Sequence, residues 1–270
     1  MHQELIIDSY LFKQLQQSPD KLYDIYEQPK MKYGDPQVNK DGTLRMRKIT
    51  SPVYRLKIVQ QNIDTWFKEF ELPGSMYGGV PGRNNFDNAV PHKNNNFFLS
   101  IDLRNFFGNI TNSVVHQTLV SNGFTREEAS FITRITTFKG SLPQGAPTST
   151  TLANMSFAPV ALLLENFCQE RNITFTVFVD DLTFSSKKCF KNEIGDILLL
   201  LKNNGFYVNH KKIHYKKHSF EITGLYVKRG KLHLHREVLK NIHKPGIKEY
   251  IHAFNKNAEK YQIKKAALLS

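Results

Sequence analysis

Apolar residues recur at three- and four-residue steps from residue 53 to residue 70, where Leu56, Val59, Ile63 and Phe67 share one face, and this period predicts an amphipathic helix. Before it, residues 42–50 alternate apolar and polar side chains as a half-buried strand does. Pro52 ends that strand, since proline brings no amide to a ladder. Residues 30–41 carry Gly, Pro, Asn and Asp close together and read as a loop or hairpin turn. The short apolar run at 96–101, bounded by asparagines, predicts a buried strand that delivers Asp102 at its end. Thr111 or Asn112 is placed to cap a helix through Val115 and Leu119, closed by Gly123. Residues 149–167 keep a helical pattern with Pro159 inside it, where a kink is expected. Residues 174–179 alternate strong strand formers, and residues 182–185 do so again after Asp180 and Asp181, which makes a hairpin with two carboxylates at its tip. Residues 190–201 return to helical spacing and stop near Gly205. Residues 206–209, 220–227 and 232–235 then read as strands, with Arg229 and Gly230 turning the last pair. The order is α+β, without a repeating βαβ unit.

At 270 residues the chain holds one sizeable core or two modest ones. It shows no internal repeat or low-complexity tract, which sets aside solenoid and linker architectures. Lys and Arg number 37 against 24 Asp and Glu, a formal charge of +13, and that excess points to a polyanionic partner. Charge alone fits a membrane surface as well as nucleic acid. The basic residues are scattered among Phe and Tyr rather than gathered beside an apolar anchor, which favours nucleic acid. The aliphatic runs at 197–201 and 162–164 are far shorter than the roughly 20 apolar residues that cross a bilayer. The first eight residues lack the basic and apolar regions of a secretion signal. A cytoplasmic protein without a membrane partner is expected. Cys168 and Cys189 form neither a metal spacing nor a disulfide framework and read as buried or inert thiols.

One acidic residue at a strand end and an acidic pair at a hairpin tip meet if their strands are neighbours, about 5 Å apart. Asp102, Asp180 and Asp181 so placed suit two hard divalent cations, which activate an attacking oxygen and stabilise a leaving one in phosphoryl displacement. Magnesium is the expected ion. An Asp-Asp pair is also common in solvated turns, and that is the alternative reading. Against it stand the flanks, because Phe-Thr-Val-Phe-Val before the pair is core material and two like charges there repel each other unless neutralised.

Four stretches occur in the order and spacing of reverse-transcriptase motifs: Phe98-Leu-Ser-Ile-Asp-Leu-Arg-Asn-Phe-Phe107, Ser141-Leu-Pro-Gln-Gly-Ala-Pro-Thr-Ser149 with Leu152-Ala-Asn154, Phe178-Val-Asp-Asp181, and Ile222-Thr-Gly-Leu225. From residue 45 to residue 227 the chain resembles that family. Asn88-Ala-Val-Pro-His92 and Ile222-Thr-Gly224 are similar to two signatures of its retron branch. The resemblance implies that Asp102 and Asp180 are direct metal ligands, with Asp181 completing the cluster and the Leu103 carbonyl a further oxygen. Phe107 corresponds to the aromatic gate against C2′ of the incoming deoxynucleotide, although core packing is expected for one of Phe106 and Phe107. Gln144 is placed beside the nucleotide, and Gly145 lets backbone come close to base and sugar. Arg45 and Arg47, two apart on one strand face, suit the triphosphate. Lys212 matches the lysine that protonates the leaving pyrophosphate. Thr223, Gly224 and Leu225 correspond to the primer grip. Asn88 and His92 either contact the structured RNA or tie the fingers to the palm.

Three positions depart from the family pattern, namely Asn105, Thr150 and Phe178, and none of them removes a metal ligand. The resemblance implies a right-hand polymerase architecture, with fingers in residues 1–95 and part of 112–140, an antiparallel-sheet palm in 96–235, and a short or truncated thumb in 236–270. Its implied activity is RNA-directed DNA synthesis, with two magnesium ions, on a structured non-coding RNA that serves as template and primer. The product would be RNA-linked single-stranded DNA, held in an antiviral defence complex with an effector protein. Other bacterial reverse transcriptases (intron-encoded, diversity-generating or abortive-infection) and a catalytically silent RNA-binding scaffold are the competing readings.

Overall fold

A computed structural model describes residues 13–15 and 19–267; the expectations resting on residues 1–8 and on the chain's last three residues lie outside the described residues. The chain enters through β1 (Tyr23–Pro29), β2 (Met31–Lys32), β3 (Asp35–Pro36) and β4 (Met46–Pro52). β1 and β4 pair antiparallel from Tyr23 opposite Pro52 to Pro29 opposite Met46. β2 and β3 form the expected hairpin about Tyr33 and Gly34, both at positive φ (55° and 86°), as a two-residue hairpin turn requires. Helix α1 (Tyr54–Phe67) buries Leu56, Val59, Ile63 and Phe67, as its period predicts. α2 (Asn85–Ala89) starts at a capping box between Asn84 and Asp87.

The central sheet then begins with β5 (Phe97–Asp102). Helices α3 (Phe106–Asn109), α4 (Asn112–Ser121, capped by Thr111), α5 (Arg126–Thr136) and α6 (Ser149–Glu170) follow. β6 (Thr174–Phe178) and β7 (Asp181–Ser186) make the carboxylate hairpin, α7 (Ile194–Asn203) crosses back, and β8 (His214–Lys217) closes the sheet in the order β6-β7-β5-β8, all antiparallel. β9 (Ser219–Ile222), β10 (Leu225–Lys228) and β11 (Lys231–Leu234) form a separate three-stranded meander. The chain ends in α8 (Arg236–Lys240) and α9 (Ile247–Ala267). Among the described residues no helix is long and apolar enough to cross a membrane.

Strand alternation divides the central sheet between two cores. Leu99, Ile101, Phe175, Val177, Leu182 and Phe184 face the main core with the buried sides of α1, α4, α5, α6 and α7. On the opposite face Phe98 stacks on Phe220 (centroids 5.8 Å apart, planes at 5°) in a second core shared by α2, the meander and α9. Fully burying a side chain of this size contributes about 1.5–3 kcal/mol.

Two strand expectations need correction. Residues 206–209 make only an isolated bridge from Val208 to Leu103, because β5 has already ended there. The sheet edge is His214–Lys217 instead, whose His-Tyr-Lys-Lys sequence hides a strand that buries little. Residues 220–227 are two strands, broken where Thr223 and Gly224 both take positive φ (45° and 86°).

Candidate active site

The β5–β7 ladder runs from Phe97 opposite Ser186 to Asp102 opposite Asp181. Directly opposed residues share a face, so the register alone sets these two carboxylates side by side. Asp180 precedes them in the turn, and its carbonyl accepts from the Leu103 amide at 2.9 Å. The turn is strained: Val179, a β-branched residue, sits at φ 60°, a region such residues avoid. Residues 75–79 brace it, with Tyr77 N donating to Val177 O and Val177 N to Ser75 O, each at 2.8 Å. Gly78 is essential to that contact, since a Cβ there would lie 2.4 Å from Val179 N.

Crowding by surrounding protein, reinforced by Asp180 and Asp102, raises the Asp181 carboxyl pKa to about 6, even though part of the side chain opens on the cleft. Burial and then Asp102 raise that of Asp180, while Lys212 and Lys30 oppose the rise. Lys212 reaches the cluster through a turn in which Asn209 N donates to Asp102 O (2.9 Å) and Lys212 N to Asn209 O (2.8 Å), and its Nζ lies 2.6 Å from Asp102 Oδ2. Lys30, which ordinary sequence reading passes over, belongs to the same field because the β2–β3 hairpin folds over the sheet.

Three mutually repelling carboxylates are the donor chemistry of a hard cation. Among the described residues, however, no three His, Cys, Asp or Glu side chains are gathered closely enough to hold a metal ion. The site expected from Asp102, Leu103, Asp180 and Asp181 is therefore electrostatically prepared but not assembled as a cage, and the Lys212 ammonium sits where a cation on Asp102 would compete with it.

The Phe106–Phe107 pair divides as expected. Phe106 is buried against Phe157 and Phe206, and Phe107 is half-buried with its ring 5.7 Å from Phe106. Gln144 is exposed, and its carbonyl accepts from Thr50 N of β4 at 2.8 Å. Gly145, at φ 123°, makes room for β4, as a Cβ would meet Ile49 Cγ2 at 2.6 Å. Arg45 Nη1 bonds Gln37 Oε1 at 3.0 Å, and Arg47 lies against the Gln28 side chain across the β1–β4 ladder.

The Thr223–Gly224 turn is held from α2. Asn85 Nδ2 donates to Thr223 O (3.1 Å) and to the Tyr250 hydroxyl (2.9 Å), and Asn88 Nδ2 to Thr223 Oγ1 (3.3 Å). Leu225 is wholly buried in the second core and supports the turn from beneath. Asn88 and His92 are 0% exposed, which leaves no surface for RNA to touch. Direct RNA contact by these two residues is not what the geometry gives; His92 is instead tied to the central sheet, bonding Ser185 Oγ of β7 (2.6 Å) and Thr176 Oγ1 of β6 (2.8 Å).

A family profile described as Reverse transcriptase (RNA-dependent DNA polymerase) matches residues 37–227. Retron Ec86 reverse transcriptase of Escherichia coli is 32% identical over 204 residues, covering 73% of this chain and 63% of that protein. Retron Ec83 reverse transcriptase, also of Escherichia coli, is 27% identical over 242 residues, covering 83% and 74%. The chain thus spans less than two thirds of the Ec86 protein. A solved telomerase from Candida albicans, in complex with a TWJ fragment of telomeric RNA, is similar in fold, with a TM-score of 0.50 at 13% identity over 82% of this chain and 50% of that one. The profile match encloses β4, both carboxylate strands and the Thr223–Gly224 turn, and with most of the chain inside it the protein belongs to the reverse transcriptase family.

Proposed function

We propose that the chain is an RNA-directed DNA polymerase of the retron type. The observation that carries this reading is the cross-strand pair of Asp102 and Asp181, with Asp180 in the strained turn beside it. In this reading Asp102, Asp180 and Asp181, with the Leu103 carbonyl, hold two magnesium ions, which when bound supply charge for activating the primer hydroxyl and stabilising the departing pyrophosphate. Lys212, already within 2.6 Å of Asp102, donates the proton to the leaving group. Arg45 and Arg47 grip the triphosphate, Gln144 and Gly145 border the nucleotide, and the half-buried Phe107 ring excludes a 2′-hydroxyl. Thr223 and Gly224 align the primer end, where small displacements are costly.

Residues 1–95 with part of 112–140 act as fingers, 96–235 as palm and 236–270 as thumb. The template and primer are one structured RNA, and the product is RNA-linked single-stranded DNA made in the cytoplasm and held with an effector protein in phage defence. A concave basic surface lined by Lys216 and Lys217, and beyond it by Lys228 and Arg229, suits the RNA phosphates.

The test is to purify the protein with its co-expressed RNA and add magnesium and deoxynucleotides. A DNA strand covalently joined to RNA is expected, and Asp180→Asn is expected to lower its yield at least about a hundredfold while RNA binding persists. Tight RNA binding by wild type with no DNA made would replace the polymerase with a silent scaffold.

A further inference from the structure

The fingers hairpin is fastened to the far end of the chain. The Tyr33 hydroxyl donates to the Glu221 carboxylate on β9 at 2.5 Å, a contact between residues 188 positions apart. The Tyr33 ring stacks on the His235 imidazole with centroids 4.1 Å apart and planes at 6°. Lys32 Nζ lies 3.1 Å from the same Glu221 carboxylate. Asn241 Nδ2 donates both to the Tyr33 carbonyl (2.8 Å) and to Asp35 Oδ2 (2.5 Å), and Lys244 forms an ion pair with Asp35. Gly34 lies against α9, since a Cβ there would come within 3.2 Å of Ile247 Cδ1.

These contacts bridge the cleft. Beneath them is a concave space of about 560 Å³, with Tyr33 and Gly34 on one wall, Thr223, Gly224 and Tyr250 on the other, and Asp181 on its floor. Such a volume suits one drug-sized molecule, far less than a paired template and primer. The hydrogen bonds and ion pairs are individually weak, because exposed charges are screened by water. Their sum holds the hairpin down, and none of the side chains that make them belongs to either core.

We propose that the hairpin around Tyr33 and Asp35 is a clasp that closes the cleft over Asp181 and releases when template and primer enter. Its partners Asn241 and Lys244 then govern loading of nucleic acid and leave nucleotide addition untouched. This rests on the polymerase reading, but loading is measured as binding and stands apart from synthesis.

The experiment uses the full chain and a fluorescein-labelled RNA template annealed to a DNA primer. In stopped-flow binding, Asp35→Ala combined with Lys244→Ala should speed association about threefold or more, because a larger fraction of molecules is open. Single-turnover nucleotide addition on the preformed complex should be unchanged. Unaltered or slower association, or slower addition, would overturn the clasp. A second variant, Asp35→Cys with Lys244→Cys and Cys189→Ser, guards against a folding artefact. Joining its two cysteines with a cleavable bismaleimide should block loading, and cutting the linker should restore it. Full loading of the joined protein would contradict the proposal. If the clasp results hold but no DNA is ever made, it is the polymerase reading that fails.

Discussion

One face of the central sheet carries polar side chains at both ends, and the two ends treat them oppositely. At one end His92 is enclosed and bonded through both ring nitrogens to Ser185 and Thr176, while Asn95 donates to Thr174 Oγ1 (3.0 Å) and Ser185 Oγ (2.8 Å). Burial holds that imidazole neutral, its pKa pushed down to about 3. At the other end, two register steps along β7 from Thr183, Asp181 faces Asp102 and is charged only against the resistance of its surroundings. Buried polar groups that satisfy one another are scaffold. Carboxyls whose pKa is raised by burial and by neighbouring carboxylates, as at Asp180 and Asp181, mark a candidate binding site.

The largest effect that would break this contrast is on stability. His92→Ala takes from the buried Thr176 hydroxyl its His92 partner, leaves Ser185 with Asn95 alone, and should lower unfolding free energy by about 3 kcal/mol, read by denaturant titration, with the activity of the folded fraction preserved. The sign with pH follows from linkage. His92 binds no proton in the fold until about pH 3, whereas the unfolded chain binds one below about 6.5. Its contribution is therefore complete above pH 6.5 and is lost as pH falls towards 3, with a limiting slope of about 1.4 kcal/mol per pH unit. His92→Gln should show a shallower acid decline than wild type, and identical slopes would mean that the imidazole is not buried neutral. A smaller effect sharpens the functional end. Phe107→Val should weaken discrimination against ribonucleotides on the order of tenfold, measured as the ratio of kcat/KM values. An unchanged ratio would return Phe107 to the core with Phe106.

What the sequence discloses depends on how local the cause is. α1 and the β6–β7 hairpin were legible because period and flanking residues are written within a few positions of each other. So was the delivery of Asp102 by β5, whose apolar run ends at that residue. β8 was not, since His214–Lys217 pairs only because β5 lies beside it. The two buried residues Asn88 and His92 look like surface chemistry until the sheet closes over them. The motif around Gly145 gives no sign that Ile49, almost a hundred positions earlier in the chain, packs against it. Lys30 gives no signal at all, as its place in the field of Asp180 depends on where the β2–β3 hairpin comes to rest. Motif spacing thus indicates the candidates for function, while long-range packing decides which of the remaining polar residues are structural.

Asp181→Asn tests the contrast most directly when melting temperature and DNA synthesis are measured on the same preparation at neutral pH. A carboxyl whose folded pKa of about 6 lies above its unfolded value lowers stability once it is ionised, so removing the charge should raise the melting temperature while synthesis collapses. A lower melting temperature with synthesis intact would show that Asp181 is scaffold, and that the two ends of the sheet do not differ as described.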